Sequence, residues 1–254
     1  MSADGTDVRQ LTGGEGRGES YGPCWSPDGT RLCFASRRDG YGGLYVVNHD
    51  GPGEERLTAE PAADDDFPAW SPDENRIVFS RGNRTGADAL FILEVASGAT
   101  HQLTDHHLLE SSPAWSPGGQ AIAFRRAFAS PPGIYAMPAE GGEAWFLVPG
   151  DEPDWAPDGR WLAYSHGEGI WVVLVDEAAR EVQMRARLTD GGDTTDRHPS
   201  WSPDGKHIVF EREPLAGSGP VSQIVVMTAN GDLVTTLGEG RMPDWSPRLA
   251  YGIA

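Results

Sequence analysis

Short apolar runs alternate along this chain with clusters of glycine, proline, aspartate and asparagine, and the alternation itself repeats. One set of runs (residues 31–34, 76–79, 121–124, 161–164 and 207–210) is apolar at nearly every position. Strands sandwiched between neighbouring sheets show that pattern, whereas strands with one wet face alternate. A second set follows at 44–47, 90–93, 133–137, 170–173 and 224–227. Turn-forming pairs come next in most repeats, as at Asp50-Gly51 and Asn230-Gly231. A closing run then ends at Leu57-Thr58, Leu103-Thr104, Leu147-Val148, Leu188-Thr189 and Leu237-Gly238. Ahead of each group stands the motif P-x-W-S-P-D-G, complete at 23–29 and 199–205 and altered at 68–74, 113–119, 153–159 and 243–248. Its tryptophans, Trp25, Trp70, Trp115, Trp155, Trp201 and Trp245, recur every 40 to 46 residues. A period of that length with four strand-like runs predicts the blades of a propeller.

The motif also predicts how consecutive strands join. Proline at the second position and aspartate at the third suit a type I turn, and the glycine takes the left-handed position after it. The expected connection is a three-residue hairpin with a bulge, the tryptophan ending one strand and the next starting just past the glycine. That register sets Cys24 opposite Arg31 or Leu32 rather than Cys33. Both cysteines are therefore read as small buried apolar residues and not as a disulfide.

The combination P-x-W-S-P-D-G, I-x-F, I-Y-V-M, D-G and R-x-L-T resembles the TolB-like, or WD40-like, six-bladed β-propeller repeat. The resemblance runs from Met1 to Tyr251. It implies an all-β propeller of six four-stranded antiparallel blades, with residues 1–254 as one domain. Residues 1–12 read like the end of a repeat, and residues 245–251 like its first two strands. The sixth blade is therefore expected to be closed by N- and C-terminal strands, an arrangement that removes free sheet edges. No third strand for it is evident, so the chain is expected to be a monomer, or to associate weakly through this terminal blade. An extension upstream of Met1 would supply the missing strand. TolB itself is a periplasmic envelope protein that binds other proteins at its propeller mouth and carries an additional N-terminal α/β domain, without counterpart in this sequence.

Composition narrows the function classes. The formal charge of −18 over 254 residues disfavours nucleic acid, which needs a positive surface. No apolar run is long enough to span a membrane, and residues 1–20 show no charged-then-apolar export signal. As written the sequence reads as cytoplasmic, or as periplasmic or cell-envelope if the natural chain extends upstream. Three other chemical candidates carry little. Gly13-Gly14-Glu15-Gly16-Arg17-Gly18 lacks the lysine and hydroxyl of a phosphate loop, Asp105-His106-His107 lacks zinc-site spacing, and Gly217-Ser218-Gly219 lacks the G-x-S-x-G context.

The remaining signal lies in the segments that enter each innermost strand, expected at one mouth of the central channel. Carboxylates fall within three residues of the motif proline in four repeats, and Glu19 and Glu239 lie four residues before it in the other two. Tyr21, Asp66, Phe67, Ser111, Asp151, Glu152, Arg197, His198, Arg241 and Met242 are the predicted binding residues. Asp64, Asp65, Asp66, Glu110 and Asp196 are the candidate ligands of a hard cation such as calcium (Ca2+), which takes converging oxygens. Arginines at 37, 38, 81, 84, 125, 126 and 212 should form a partly basic collar. Two functions fit. The first is a non-enzymatic scaffold presenting this acidic mouth to a protein or peptide. The second is a metal-dependent hydrolase or lactonase with an ion in the channel, although no residue in the sequence stands out as catalytic.

Overall fold

The computed structural model describes residues 1, 4–12, 19–51, 53–61, 63–83, 88–105, 107–178, 180–215, 221–232 and 234–247. The glycine-rich segment 13–18, His106, Arg84, Gly217-Ser218-Gly219 and the predicted last strand beyond Pro247 lie outside them.

Twenty strands form five antiparallel sheets of four, each in simple chain order. Blade 1 is β1 (Ser20–Trp25), β2 (Arg31–Ser36), β3 (Gly43–Asn48) and β4 (Glu55–Arg56). Blade 2 is β5 (Ala63–Trp70), β6 (Arg76–Asn83), β7 (Asp88–Glu94) and β8 (Thr100–Gln102). Blade 3 is β9 (Glu110–Trp115), β10 (Ala121–Arg126), β11 (Gly133–Pro138) and β12 (Trp145–Val148). Blade 4 is β13 (Asp151–Trp155), β14 (Trp161–His166), β15 (Gly169–Asp176) and β16 (Glu181–Arg187). Blade 5 is β17 (Thr194–Trp201), β18 (His207–Pro214), β19 (Gln223–Thr228) and β20 (Thr235–Glu239). There is no α-helix among the described residues.

The middle strands carry the core, as their unbroken apolar runs require. Ile77, Phe79, Ile122, Phe124, Leu162, Tyr164, Ile208 and Phe210 are fully buried. Four of the repeat tryptophans, Trp70, Trp115, Trp155 and Trp201, pack back onto the preceding blade. Trp70 joins Cys33, Ala35, Leu44 and Val46 of blade 1, Trp115 joins Val78, Leu90 and Ile92 of blade 2, and Trp201 joins Ala163, Ile170 and Val172 of blade 4. Arg31 and Arg76 cover the outer faces of Trp70 and Trp115, so each ring is sealed between apolar strands and a guanidinium.

Two expectations are overturned. The first concerns blade number: among the described residues the sheets are five, not six. Trp245 follows its motif proline as the other tryptophans do, yet it lies in no strand. After Pro247, Arg248 stands where the other repeats have aspartate or glycine, and the segment 243–247 has no hairpin partner within the described residues. Residues 4–12 form no outer strand either. They cross the outside of the gap instead. Gly5 lies against the Leu237 carbonyl so closely that an added Cβ would stand 2.7 Å from it. Arg9 donates to the Asp50 carbonyl, and Leu11 packs on Phe34, Tyr45 and Val47. Blade 5 is thus tied to blade 1 by side chains rather than by a strand ladder.

The second correction concerns the turn. Ser26 N–H donates to the Arg31 carbonyl (2.9 Å), so four residues rather than three lie between the last paired positions. The Ser26 hydroxyl donates to Asp28 (2.6 Å) and accepts from Arg31 N–H (3.0 Å), capping the longer loop. Ser71 with Asp73 and Arg76, and Ser202 with Asp204 and His207, repeat the arrangement. The extra residue shifts the register, and Cys24 faces Cys33 across the ladder. Both thiols are free.

Trp25, which has no sheet before it among the described residues, is only half-buried, whereas Trp70, Trp115, Trp155 and Trp201 lean on the blade before them and are buried. Trp201→Ala should therefore cost about 3–5 kcal/mol, in the range for deleting a buried aromatic, and Trp25→Ala clearly less. Urea denaturation of the two variants checks the difference.

Candidate functional site

The motif proline sets the geometry of the channel. Proline has no N–H to give to a ladder and is tolerated on an edge strand. Each innermost strand is such an edge, facing the channel. The residue before a proline is sterically kept from the right-handed helical region, and here it takes the left-handed one in all six repeats. Gly22, Phe67, Ser112, Glu152, His198 and Met242 have φ between 47° and 57°. The ladder with the second strand breaks at this point in all five blades. The bulge aims these six residues into a central channel of about 500 Å³.

Upstream of the bulge the strand period of two sorts the candidates. The third residue before the proline points away from the channel. It is Asp65 in blade 2, Glu110 in blade 3 and Asp196 in blade 5. Asp65 meets Arg81 in a two-pronged pair at 2.6 and 2.8 Å. Asp196 meets Arg212 in the same way at 2.7 and 2.8 Å. Glu110 takes Arg126 at 2.8 and 2.6 Å through one oxygen. All three carboxylates are at most 1 % exposed. The arginines lie over Phe79 and Phe91, Phe124 and Tyr135, and Phe210. In blade 1, where Ser20 replaces the acid, Arg38 fills the role, stacking on Phe34 and Tyr45 and donating to Ser20 and Ser36. Three expected cation ligands and three collar arginines are therefore consumed pairwise inside separate blades. No group of three or more His, Cys, Asp or Glu among the described residues is placed to hold a metal ion.

The second residue before the proline faces the mouth, and its partner on the next strand varies between blades. In blade 1 Tyr21 lies opposite Ala35 and in blade 2 Asp66 lies opposite Ser80. The Tyr21 hydroxyl donates to Asp66 at 2.6 Å, linking the two. In blade 3 Ser111 faces Arg125, which reaches across to Asp151 of blade 4. Arg197 faces Glu211 in blade 5. Arg241, in the sheetless sixth sector, is exposed, 3.7 Å from Glu211.

His198 is the most constrained of the predicted residues. Its N–H donates to Glu152 Oε2 (2.9 Å), its Nε2 lies 3.2 Å from Glu152 Oε1, and its Nδ1 lies 3.3 Å from Glu211 Oε2. Ser165 donates to Glu152 as well (2.7 Å). Met242 N–H donates to Glu211 at 3.2 Å. Burial pushes Glu211 up, but hydrogen bonds from His198, Ser222 and Met242 outweigh it and hold the carboxyl below its ordinary value.

Two channel carboxyls were not singled out from the sequence. Asp154 and Asp244 occupy the x of P-x-W, where the other repeats have Cys24, Ala69, Ala114 and Ser200. Asp154 accepts Trp201 N–H at 2.7 Å, joining blade 4 to blade 5. Asp244 accepts Trp25 N–H at 2.8 Å and the Ser200 hydroxyl at 3.0 Å. The second carboxyl thus closes the ring from the last repeat to the first. An acid in that slot on a strand edge was the available signal. Burial raises both, Asp154 to about 7 and Asp244 to about 6, although each side chain is partly exposed.

The TolB β-propeller domain model matches residues 66–249. This chain belongs to that family. A candidate TolB from Agrobacterium tumefaciens superposes with a TM-score of 0.77 at 27 % identity, covering 91 % of this chain and 87 % of that one. TolB from Acinetobacter baumannii gives 0.75 at 20 % identity over 90 % of this chain and 57 % of its own, a likeness of fold. An uncharacterized protein of Agrobacterium fabrum (strain C58), Atu1656, is 32 % identical over 133 residues, or 45 % of this chain and 43 % of that relative. The match to this curated relative therefore spans less than half of its length.

Because folding raises the pKa of Asp154 and Asp244, their contribution to stability is complete below the unfolded carboxylate value and is lost as pH rises through about 6 and about 7. Asp154→Asn with Asp244→Asn should flatten this part of the melting-temperature profile between pH 4 and 8, through about 4 to 7. Thermal melts of both proteins across that window measure it.

Proposed function

We propose that this TolB-family propeller is a binding scaffold whose channel mouth takes an extended peptide segment of a partner protein, with an apolar side chain beside a basic one. The observation that carries this reading is the ring of six left-handed residues. A left-handed backbone costs free energy for any residue but glycine, most of all for a bulky one. Yet five of the six are Phe67, Ser112, Glu152, His198 and Met242. A ring whose side chains served only the fold would favour glycine, as at Gly22. Five different side chains on a repeating frame instead suit an asymmetric ligand. Phe67 and Met242 offer apolar surface on either side of Gly22 and the first repeat, while Glu152 and His198 offer a carboxylate and an imidazole opposite. The acidic balance of the mouth, with Asp64, Asp66 and Glu152 on it, favours a basic group on the ligand.

The single domain of residues 1–254 is retained in this reading as the unit that binds. No arrangement among the described residues specifically favours the metal-dependent hydrolase or lactonase.

A library of displayed random peptides tests the proposal. The protein should enrich sequences with a basic residue next to an apolar one, and Phe67→Ala with Met242→Ala should weaken the selected peptides roughly tenfold or more, as loss of an apolar anchor does, without lowering the melting temperature. No enrichment, or enrichment indifferent to the two substitutions, would overturn it.

A further inference from the structure

Beside the channel mouth, between blades 1 and 2, lies a second cavity of about 410 Å³, walled by Arg37, Tyr41, Asp64, Asp66, Phe67 and Ser80 among others. Its polar groups are unevenly satisfied. Asp64 Oδ1 accepts Gly42 N–H at 2.6 Å, and Asp66 accepts the Tyr21 hydroxyl at 2.6 Å. Arg37 is the cation at its opening. Its guanidinium lies 3.4 Å from Asp64 and 3.9 Å from Asp66, with more than half of the side chain in solvent, a loose contact of the kind that contributes little. Deeper in, the Ser80 hydroxyl is 2 % exposed and has no hydrogen-bond partner. Buried hydroxyls are ordinarily paired, and one left without a partner is costly. At the same place on the second strand of blade 4, Ser165 spends its hydroxyl on Glu152. Ser80 has no such partner, and it lines a cavity that also holds three carboxylates, Asp64, Asp66 and Asp88.

We propose that this cavity binds a guanidinium group, carried either by a small free molecule or by an arginine side chain of a partner. A guanidinium presents several N–H donors in one plane. It can meet Asp64 and Asp66 with charge-assisted hydrogen bonds and give a further N–H to Ser80, with Phe67 and Tyr41 covering its faces. In the empty pocket Arg37 stands in for the ligand without reaching Ser80. Burial also raises the Asp66 carboxyl above its ordinary value despite Tyr21 and Arg37, as expected of an acid short of counter-charge. The pocket shares Asp64, Asp66 and Phe67 with the mouth, but its claim on Ser80 does not rest on a peptide in the channel, and either reading can hold if the other fails.

Titration of the full chain with ethylguanidinium, followed by calorimetry and by amide chemical shifts, tests the site. Binding is expected, with shifts at Ser80, Asp64 and Gly42 rather than at His198 or Met242. Asp64→Asn should weaken it roughly tenfold or more, the scale of a lost hydrogen bond to a charged group. Ser80→Ala should weaken it several-fold while leaving the unliganded melting temperature unchanged or higher, because an unsatisfied hydroxyl has been removed. A serine that served only the fold would not produce that opposition. Arg37→Ala should bind at least as well as the parent, its competing cation being gone. A blocked tripeptide with central arginine separates the two sources: affinity well above that of ethylguanidinium assigns the pocket to a protein partner, equal affinity to a small ligand. No binding by either the parent or Arg37→Ala, or binding indifferent to both Asp64→Asn and Ser80→Ala, overturns the proposal.

Discussion

The proline that opens each motif constrains everything around the channel. Lacking an N–H, it can sit on the innermost strand only because that strand is an edge. The residue before it takes the left-handed region, the ladder breaks there and one side chain per repeat turns into the channel. Downstream of the break the strand resumes its register, carries the tryptophan onto the neighbouring blade and enters the serine-capped turn. Upstream, the same break fixes which carboxylates face the mouth and which face a buried arginine. The sixth repeat follows the same constraint, although the described residues give it no sheet. Met242 is left-handed like the others, Asp244 bonds across to Trp25, and the segment lines the channel with the rest. Among the described residues, five sheets and the segment 241–247 therefore share a channel with six proline positions around it.

That sector also shows how a ring can be joined without a shared strand ladder. Asp154 ties blade 4 to blade 5, and Asp244 ties the last repeat to the first, each through one backbone N–H. A carboxylate in such a place is favoured by the hydrogen bonds it accepts and penalised by its burial, and the balance lies toward the protonated form. Closure at this seam is consequently sensitive to pH in a way that the ladders of the other blades are not.

Much of the fold was legible because apolar runs, turn residues and tryptophan spacing all pointed to the same four-stranded unit. Blade number was not, since a motif can be counted whether or not its partner strands form. Arg248, where the other repeats have aspartate or glycine, was the departure visible in the sequence. The site was legible in outline only. Tyr21, Asp66, Phe67, Glu152, His198 and Met242 do come together around the mouth, whereas Asp65, Glu110 and Asp196 lie on the other side of their strands. Parity was not used in the sequence reading, and parity separates the acids that face the mouth from those of the buried ion pairs. Gly22 and Ser112 were passed over because a small side chain gives no chemical signal, although their backbone matches that of the other four.

The account rests on the claim that left-handed, non-glycine residues are kept at the mouth for recognition at some expense in stability. Glycine at Ser112 and Met242 isolates the two contributions, because it accepts the observed φ of 51° and 47° without strain. The denaturant midpoint of Ser112→Gly with Met242→Gly is the decisive measurement. An unchanged or raised midpoint, gained by relieving the backbone, is the predicted result. A clearly lowered midpoint would show that these side chains hold the fold together, and the claim would be wrong.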